Sequence, residues 1–242
     1  MRSTYIRNKF ALLGYQIIPL LLLATAAYGQ HFKWARRNNP EYDNRKFSYG
    51  FMIGLHTSAY QVKYSDQFVT QAFDTVQSVQ PQFSAGFSLG FLLNLRLNEV
   101  LDIRIMPKAG FYNHRLLYFY TDNTTKRQLV ETTMVEIPVL LKYKSMRRGN
   151  VRMYMVGGFT PGIEASGKND VQSTTANLDI RNFNLSLDAG LGFDFYFPLF
   201  KLSQEIRFSR GITNMLGPSP SAFAAPLKGL STNTISVYFI FQ

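Results

Sequence analysis

Apolar and polar residues alternate along most of this chain, and a period of two marks strands rather than helices. The pattern is cleanest over 182–197. There Phe183, Leu185, Leu187, Ala189, Leu191, Phe193, Phe195 and Phe197 share one face, and the other carries Asn182, Asn184, Ser186, Asp188, Gly190, Gly192, Asp194 and Tyr196. The same period recurs over 47–64, 82–98, 100–112, 127–144, 200–210 and 231–242. Residues 151–163 are less clear, because Met, Tyr, Val and Gly fill both faces. The pattern therefore predicts eight strands. Longer connections are expected at 65–81, around 121–126, at 164–181 and at 211–230, with tight turns at 98–99, 145–150 and 198–199. Long and short connections alternate, as they do when every other hairpin faces the periplasm.

Two architectures have eight strands: a lipocalin-like soluble barrel around a ligand, and an outer-membrane barrel with its apolar face in lipid. Run length favours the second. Several runs reach the nine to eleven residues of a tilted membrane strand or more, whereas ordinary strands have about five or six. Aromatics near run ends (Tyr49, Tyr112, Tyr118, Tyr143, Tyr196, Phe197, Phe200, Phe239 and Phe241) suit interfacial girdles. The polar faces mix Gly and Ser with Arg, Lys, Asp and Glu, as a narrow packed interior requires. The predicted fold is an all-β, eight-stranded antiparallel transmembrane barrel over 47–242.

The leading residues differ from the rest. Arg2, Arg7 and Lys9 precede an apolar run, 10–27, that ends in Ala27-Tyr28-Gly29. A charged start, apolar middle and small-x-small end describe an export signal over 1–29, followed by a periplasmic segment over 30–46. A retained anchor is the alternative, but the run is short and interrupted by Gln16 and Pro19. The chain has no cysteine, which removes a lipid-anchored cysteine, disulfides and thiolate metal sites. Three of the eleven net positive charges lie in the leader. Export makes nucleic acid an unsuitable partner for the remainder; the partners expected are outer-membrane lipid and proteins of the envelope.

Charges on the polar faces would point into the barrel. The candidates are Arg96, Asp102, Arg104, Lys108, Glu136, Lys142, Asp188, Asp194, Glu205 and Arg207. Buried charges must pair, so these read as a structural ladder of ion pairs, with Asp188 and Asp194 neutralised by Arg96, Arg104, Lys108 or Arg207. Eight strands leave a lumen just wide enough to fill with side chains, so no conduit is expected. Candidate chemistry is sparse, with three histidines: His31, His56 and His114. Only His114 lies near the outer rim, and no spacing pairs it with a nucleophile. No metal-ligand spacing appears, and no catalytic, cofactor or metal residue is assigned.

Four pieces of the chain carry a resemblance: "YDNRKFSYGFMIGL" (42–55), "EIPVLLKYKS" (136–145), "YMVGG" (154–158) and "DAGLGFDFYFPLFKLSQEIRFSRGITNML" (188–216). Together they resemble the PorT family, small outer-membrane barrels of the type IX protein secretion system. The "EIPVLLKY" piece is also similar to wider small-barrel families, while the long last piece and the early "YD" are more particular. The resemblance implies a non-enzymatic barrel required for export of proteins bearing a C-terminal sorting domain. A packed lumen argues against the translocating-pore label some of this family carry, and favours an accessory or assembly role. The surfaces left to act are then the barrel's ends. Lys33, Trp34, Arg36 and Arg37 in the leading segment, with Arg147 and Arg148 in a turn on the same side, form a basic cluster. It would dock an acidic partner among the secretion components or rest on lipid phosphates. A stand-alone structural or adhesive barrel like OmpX, and a lipid- or peptide-cleaving barrel, are the alternative functions.

Overall fold

The computed structural model describes residues 38–65, 68, 76–122, 124–165, 180–217 and 224–242. The export signal over 1–29 lies outside these residues, as does most of the 30–46 segment. Eleven strand segments form one antiparallel sheet: β1 (Phe47–Tyr64), β2 (Val76–Gln82), β3 (Ser84–Arg96), β4 (Leu101–Ile105), β5 (Lys108–Tyr120), β6 (Thr125–Glu136), β7 (Val139–Lys144), β8 (Val151–Glu164), β9 (Phe183–Tyr196), β10 (Lys201–Gly211) and β11 (Leu227–Phe241). Six of the segments are halves of three longer strands: β2 with β3, β4 with β5, and β6 with β7. Proline makes two of these breaks. Pro107 and Pro138 have no N–H to give the ladder, yet their carbonyls still accept from Phe91 and Met106 at 2.9 and 3.0 Å. The pairing continues across the Pro107 break without slipping, from Leu93↔Ile105 to Gly90↔Lys108.

Counted as continuous strands, the sheet is a ring of eight. Each strand pairs with its neighbours in sequence, and β1 pairs with β11 from Phe51↔Phe241 to Tyr64↔Leu227, so the ring closes without a free edge. Closure is what allows strands to cross lipid, since every ladder group finds a partner within the wall. The tight turns at 97–100, 145–150 and 197–200 share one end with the start of β1 and the end of β11. Short turns face the periplasm in such barrels, and that end is taken as periplasmic.

The row that stands out in the sequence faces lipid. Phe183, Leu187, Leu191 and Phe193 remain about half exposed, as do Phe91, Leu141, Phe159 and Ile206 on other strands. Their neighbours in sequence are buried inside, including Asp188, Asp194, Glu205 and Arg207.

Several strands run further outward than the alternation predicts. The second begins at Val76, the third reaches Tyr120 and the last begins at Leu227. The reason is chemical: above the lipid belt the outer face turns polar (Asn113, Arg115, Arg127, Glu131), so the apolar period vanishes while the hydrogen-bond ladder continues. The connection between the third and fourth strands is consequently a tight hairpin, not a long loop. Asp122 Oδ1 accepts from the Thr124 N–H at 2.9 Å, an Asx turn that holds its tip.

Candidate functional site

The lumen is filled by charges that pair across it. Arg104 on β4 and Glu205 on β10 come from opposite walls and meet at 2.7 Å, both fully buried. Glu205 also accepts from Arg207 Nε at 2.8 Å and from the Tyr154 hydroxyl at 2.9 Å, so one carboxylate answers two guanidinium groups. Asn94 Oδ1 takes a further Arg104 donor at 2.8 Å. Lys142 on β7 reaches Asp194 on β9 at 2.7 Å, with Ser203 donating to the other Asp194 oxygen at 2.5 Å. Lys108 and Glu136 pair at 2.7 Å, and the Tyr112 hydroxyl donates to the same carboxylate at 2.8 Å. Asp188 lies 3.9 Å from Arg207 and accepts from Thr160 Oγ1 at 2.5 Å. Aromatic faces cover the cations: Lys142 sits 3.7 Å above the Tyr154 ring and Arg207 4.5 Å above that of Tyr238. One wall at this height is apolar instead, with Met52, Leu92, Met106, Leu140 and Ile240 packed together.

Nine of the ten charges expected in the lumen stand there; Arg96 does not. It is partly exposed at the periplasmic mouth and donates to the Asp43 carbonyl and, at 3.3 Å, to the Asn98 carbonyl. At the end of β3 its guanidinium is taken up by these carbonyls of the mouth and meets no lumen carboxylate. The partner expected for Asp194 also differs, since Lys142 takes that role. Two buried lysines add to the ladder. Lys144 pairs with Asp102 at 2.5 Å, and Lys201 lies 4.5 Å above the Tyr42 ring. Both sit at strand ends, where alternation gives the face but not the depth.

The periplasmic mouth is closed by residues just before β1. A short 3-10 turn, Pro40–Asn44, lays Tyr42 into the barrel, 6 % exposed, edge-on to Tyr196. Asp43 ties this cap down: its carboxylate meets Arg152 at 3.1 Å, Arg147 at 3.6 Å and the Tyr196 hydroxyl at 2.8 Å. Arg147 donates to the carbonyls of Asn38 and Asn39 and stacks 3.7 Å from Tyr196. This corrects its place in the expected docking cluster, because its side chain is 5 % exposed and occupied within the chain. Arg148 is exposed. Lys33, Trp34, Arg36 and Arg37 lie outside the described residues. The "YD" that carries part of the resemblance is thus Tyr42 and Asp43, the two anchors of the cap, a role no periodicity reveals.

In the outer half of the lumen aromatic rings on one side face Thr132, Thr160, Asn184, Ser186, Thr232 and Thr234 on the other, and an apolar cluster lies above. His56 lies tilted against Tyr112 at 4.3 Å, and Tyr60 stacks on His114 at 4.1 Å. These rings come from β1 and β5 and meet over the inner face of β3. The residue beneath is Gly86, where a Cβ would stand 2.4 Å from His56 Nε2. Above them Val79, Leu116, Tyr118, Ile180, Met215, Leu227 and Leu230 close the outer end. His114 is therefore not a rim residue. It is 5 % exposed beneath this lid, where a substrate at the membrane surface does not reach it. Among the described residues no group of three or more His, Cys, Asp or Glu is placed to hold a metal ion.

A closed eight-stranded wall with a lipid-facing apolar belt and an ion-paired interior defines an outer-membrane β-barrel. Residues 29–217 match the family described as outer membrane protein beta-barrel domain, and the chain belongs to it. The protein is accordingly a protein of the outer membrane. Among solved structures it is similar to the outer membrane protein OprG from Pseudomonas aeruginosa, at 13 % identity over 79 % of this chain and 93 % of that one, with a TM-score of 0.43. It is also similar to Neisserial surface protein A, at 14 % identity over 81 % and 98 %, TM-score 0.39. The outer membrane enzyme PagL is similar at 10 % identity over 76 % and 97 %, TM-score 0.36. No curated protein matches the chain.

Proposed function

We propose that this barrel is a non-enzymatic component of type IX protein secretion, with an accessory or assembly role in exporting sorting-domain cargo, and is not itself the conduit. The observation that carries the second half is the Arg104–Glu205 pair, which spans the lumen at 2.7 Å with both groups fully buried. Opening a path for a polypeptide would separate this pair and its neighbours in a medium where an unpaired charge costs several kcal/mol. The cap below and the apolar lid above close the same path twice more. The first half rests on the resemblance of 42–55, 136–145, 154–158 and 188–216 to the PorT family.

With the interior closed, function falls to the ends. Lys33, Trp34, Arg36, Arg37 and Arg148 remain the proposed docking cluster for an acidic secretion component, with charge complementarity steering the encounter. Arg147 is withdrawn from that set because it holds the cap. Reversing Arg36, Arg37 and Arg148 to Glu is expected to impair secretion while the barrel still assembles; unchanged export overturns the docking role. The second reading is an OmpX-like structural or adhesive barrel, favoured by the outward extension of the strands beyond the lipid belt. Deleting the gene and measuring surface delivery of sorting-domain cargo separates the two. Loss of delivery, restored by the gene in trans, is the expected result; normal delivery supports the second reading instead.

A further inference from the structure

The apolar belt is uneven around the barrel. On β9 it continues outward to Phe183 and on β11 it stops at Ile235, while on β10 Arg210 interrupts it between Phe208 and the exposed Ile212 just past the strand. The next outward residue on β10 is Arg210, which pairs across the ladder with Leu187, itself still lipid-facing. Arg210 thus stands about 5 Å outward of Phe208, from a two-residue rise of about 3.3 Å each on a strand tilted about 40°, opposite Asn233, where the apolar row of β11 has ended. That is the height of lipid head groups. Its guanidinium reaches over the outer face of β11 and donates to Gln61 Oε1 on β1 at 3.2 Å.

Arg210 belongs to a built feature. A groove of about 440 Å³ runs over the outer wall of β10, β11 and β1, and among the described residues its charged lining is Arg210, Lys63 and Lys228. Lys228 is the extra residue where the β1–β11 pairing shifts, between Lys63↔Gly229 and Tyr64↔Leu227, a bulge that re-aims a side chain at the rim. Below it, on the same wall, an apolar furrow of about 780 Å³ is lined by Met155, Ala189, Leu191, Ile206, Phe208 and Val237 among others. Ala189, which pairs with Gly157 on β8 and with Phe208 on β10, makes the hollow between Met155, Leu191 and Phe208. A cationic groove set at head-group height above an apolar furrow fits one kind of molecule: an anionic lipid held by its phosphate, with an acyl chain lying along the wall.

We infer that Arg210, Lys63 and Lys228 form a binding site for the phosphates of a glycolipid in the outer leaflet, with the β9–β11 furrow holding one of its acyl chains. The site is independent of the secretory role, because it lies on the outer flank and not at the periplasmic end. The two phosphates of lipid A are the chemistry the groove fits.

The test uses the full barrel in phosphatidylethanolamine nanodiscs, with binding of bis-phosphorylated lipid A measured by native mass spectrometry. The triple variant Lys63→Gln, Arg210→Gln, Lys228→Gln should bind on the order of a hundredfold more weakly, at about fivefold for each cation near a membrane surface. Dephosphorylated lipid A should bind the parent protein about as weakly. Substituting Ala189 with Phe fills the furrow and should weaken lipid A binding while leaving the cations in place. Folding of each variant is checked by its migration on unheated gels, and Lys63→Gln alone, with its fivefold loss, replaces the triple if that does not fold. Binding by the variant within twofold of the parent overturns the site. So does equal binding of dephosphorylated lipid, or inorganic phosphate competing as well as lipid A, which would mark a free-anion site.

Discussion

Replacing Glu205 with glutamine keeps the side chain's volume and removes one charge from the centre of the lumen. Arg207 retains Asp188 at 3.9 Å, but Arg104 is left with the neutral Asn94 oxygen, the face of Tyr154, 5.2 Å from its guanidinium carbon, and the longer-range attraction of Asp194. The glutamine amide also presents a donor where two guanidinium groups already donate. Breaking one partner of a buried pair costs about 3–5 kcal/mol, a large share of an ordinary folding stability of about 5–15 kcal/mol. Urea titration in lipid vesicles, following the folded fraction by migration on unheated gels, measures the loss. The companion variant, Glu205→Gln with Arg104→Met, restores the charge balance and should recover more than half of it. Glu205→Gln within about 0.5 kcal/mol of the parent, the range of surface substitutions, refutes the reasoning. A double variant as damaged as the single one does so too, since it would mean that packing rather than charge is at stake.

Three further outcomes follow from the geometry. Asp43→Ala removes the carboxylate shared by Arg152, Arg147 and Tyr196, and about 2 kcal/mol of lost charge-assisted hydrogen bonding should raise the open fraction of the cap roughly thirtyfold. A spin label at Glu41→Cys, unambiguous because the chain has no cysteine, would report greater mobility; unchanged spectra contradict the anchor. Burial pushes the Tyr42 hydroxyl up from 10.0 to about 12. Its contribution to cap closure is fully present below pH 10 and is lost as pH rises through the higher value, so the same label should loosen over that window. It should not do so in Tyr42→Phe, and an identical midpoint in that variant contradicts the assignment. Gly192→Ala would set a Cβ 2.3 Å from Tyr154 Cζ, costing about 1–3 kcal/mol of overpacking; an unchanged urea midpoint refutes that contact.

The lipid belt is legible in the sequence because the bilayer imposes one rule on every membrane strand. Where lipid ends the rule ends, and that is where sequence and structure part. The third strand runs to Tyr120, beyond the last clear alternation, because Asn113 and Arg115 face water outside while Tyr112, His114 and Leu116 are buried inside. The lumen charges can be placed by face alone, since polar-face residues have nowhere else to point. Their pairing cannot, because Arg104 and Glu205 stand 101 positions apart and meet only through ring closure. The cap was hidden for another reason. Tyr42 and Asp43 belong to no periodic element, and their partners Arg147, Arg152 and Tyr196 come from three later points in the chain.

A barrel whose lumen is closed should pass no current. Recording single-channel conductance of the purified protein in planar bilayers, alongside Asp43→Ala, tests this claim most directly. Neither should show discrete current steps, because the Arg104–Glu205 pair and the apolar lid stay closed when the cap is loosened. Stable steps in the parent protein would contradict the closed lumen and return the conduit role to consideration.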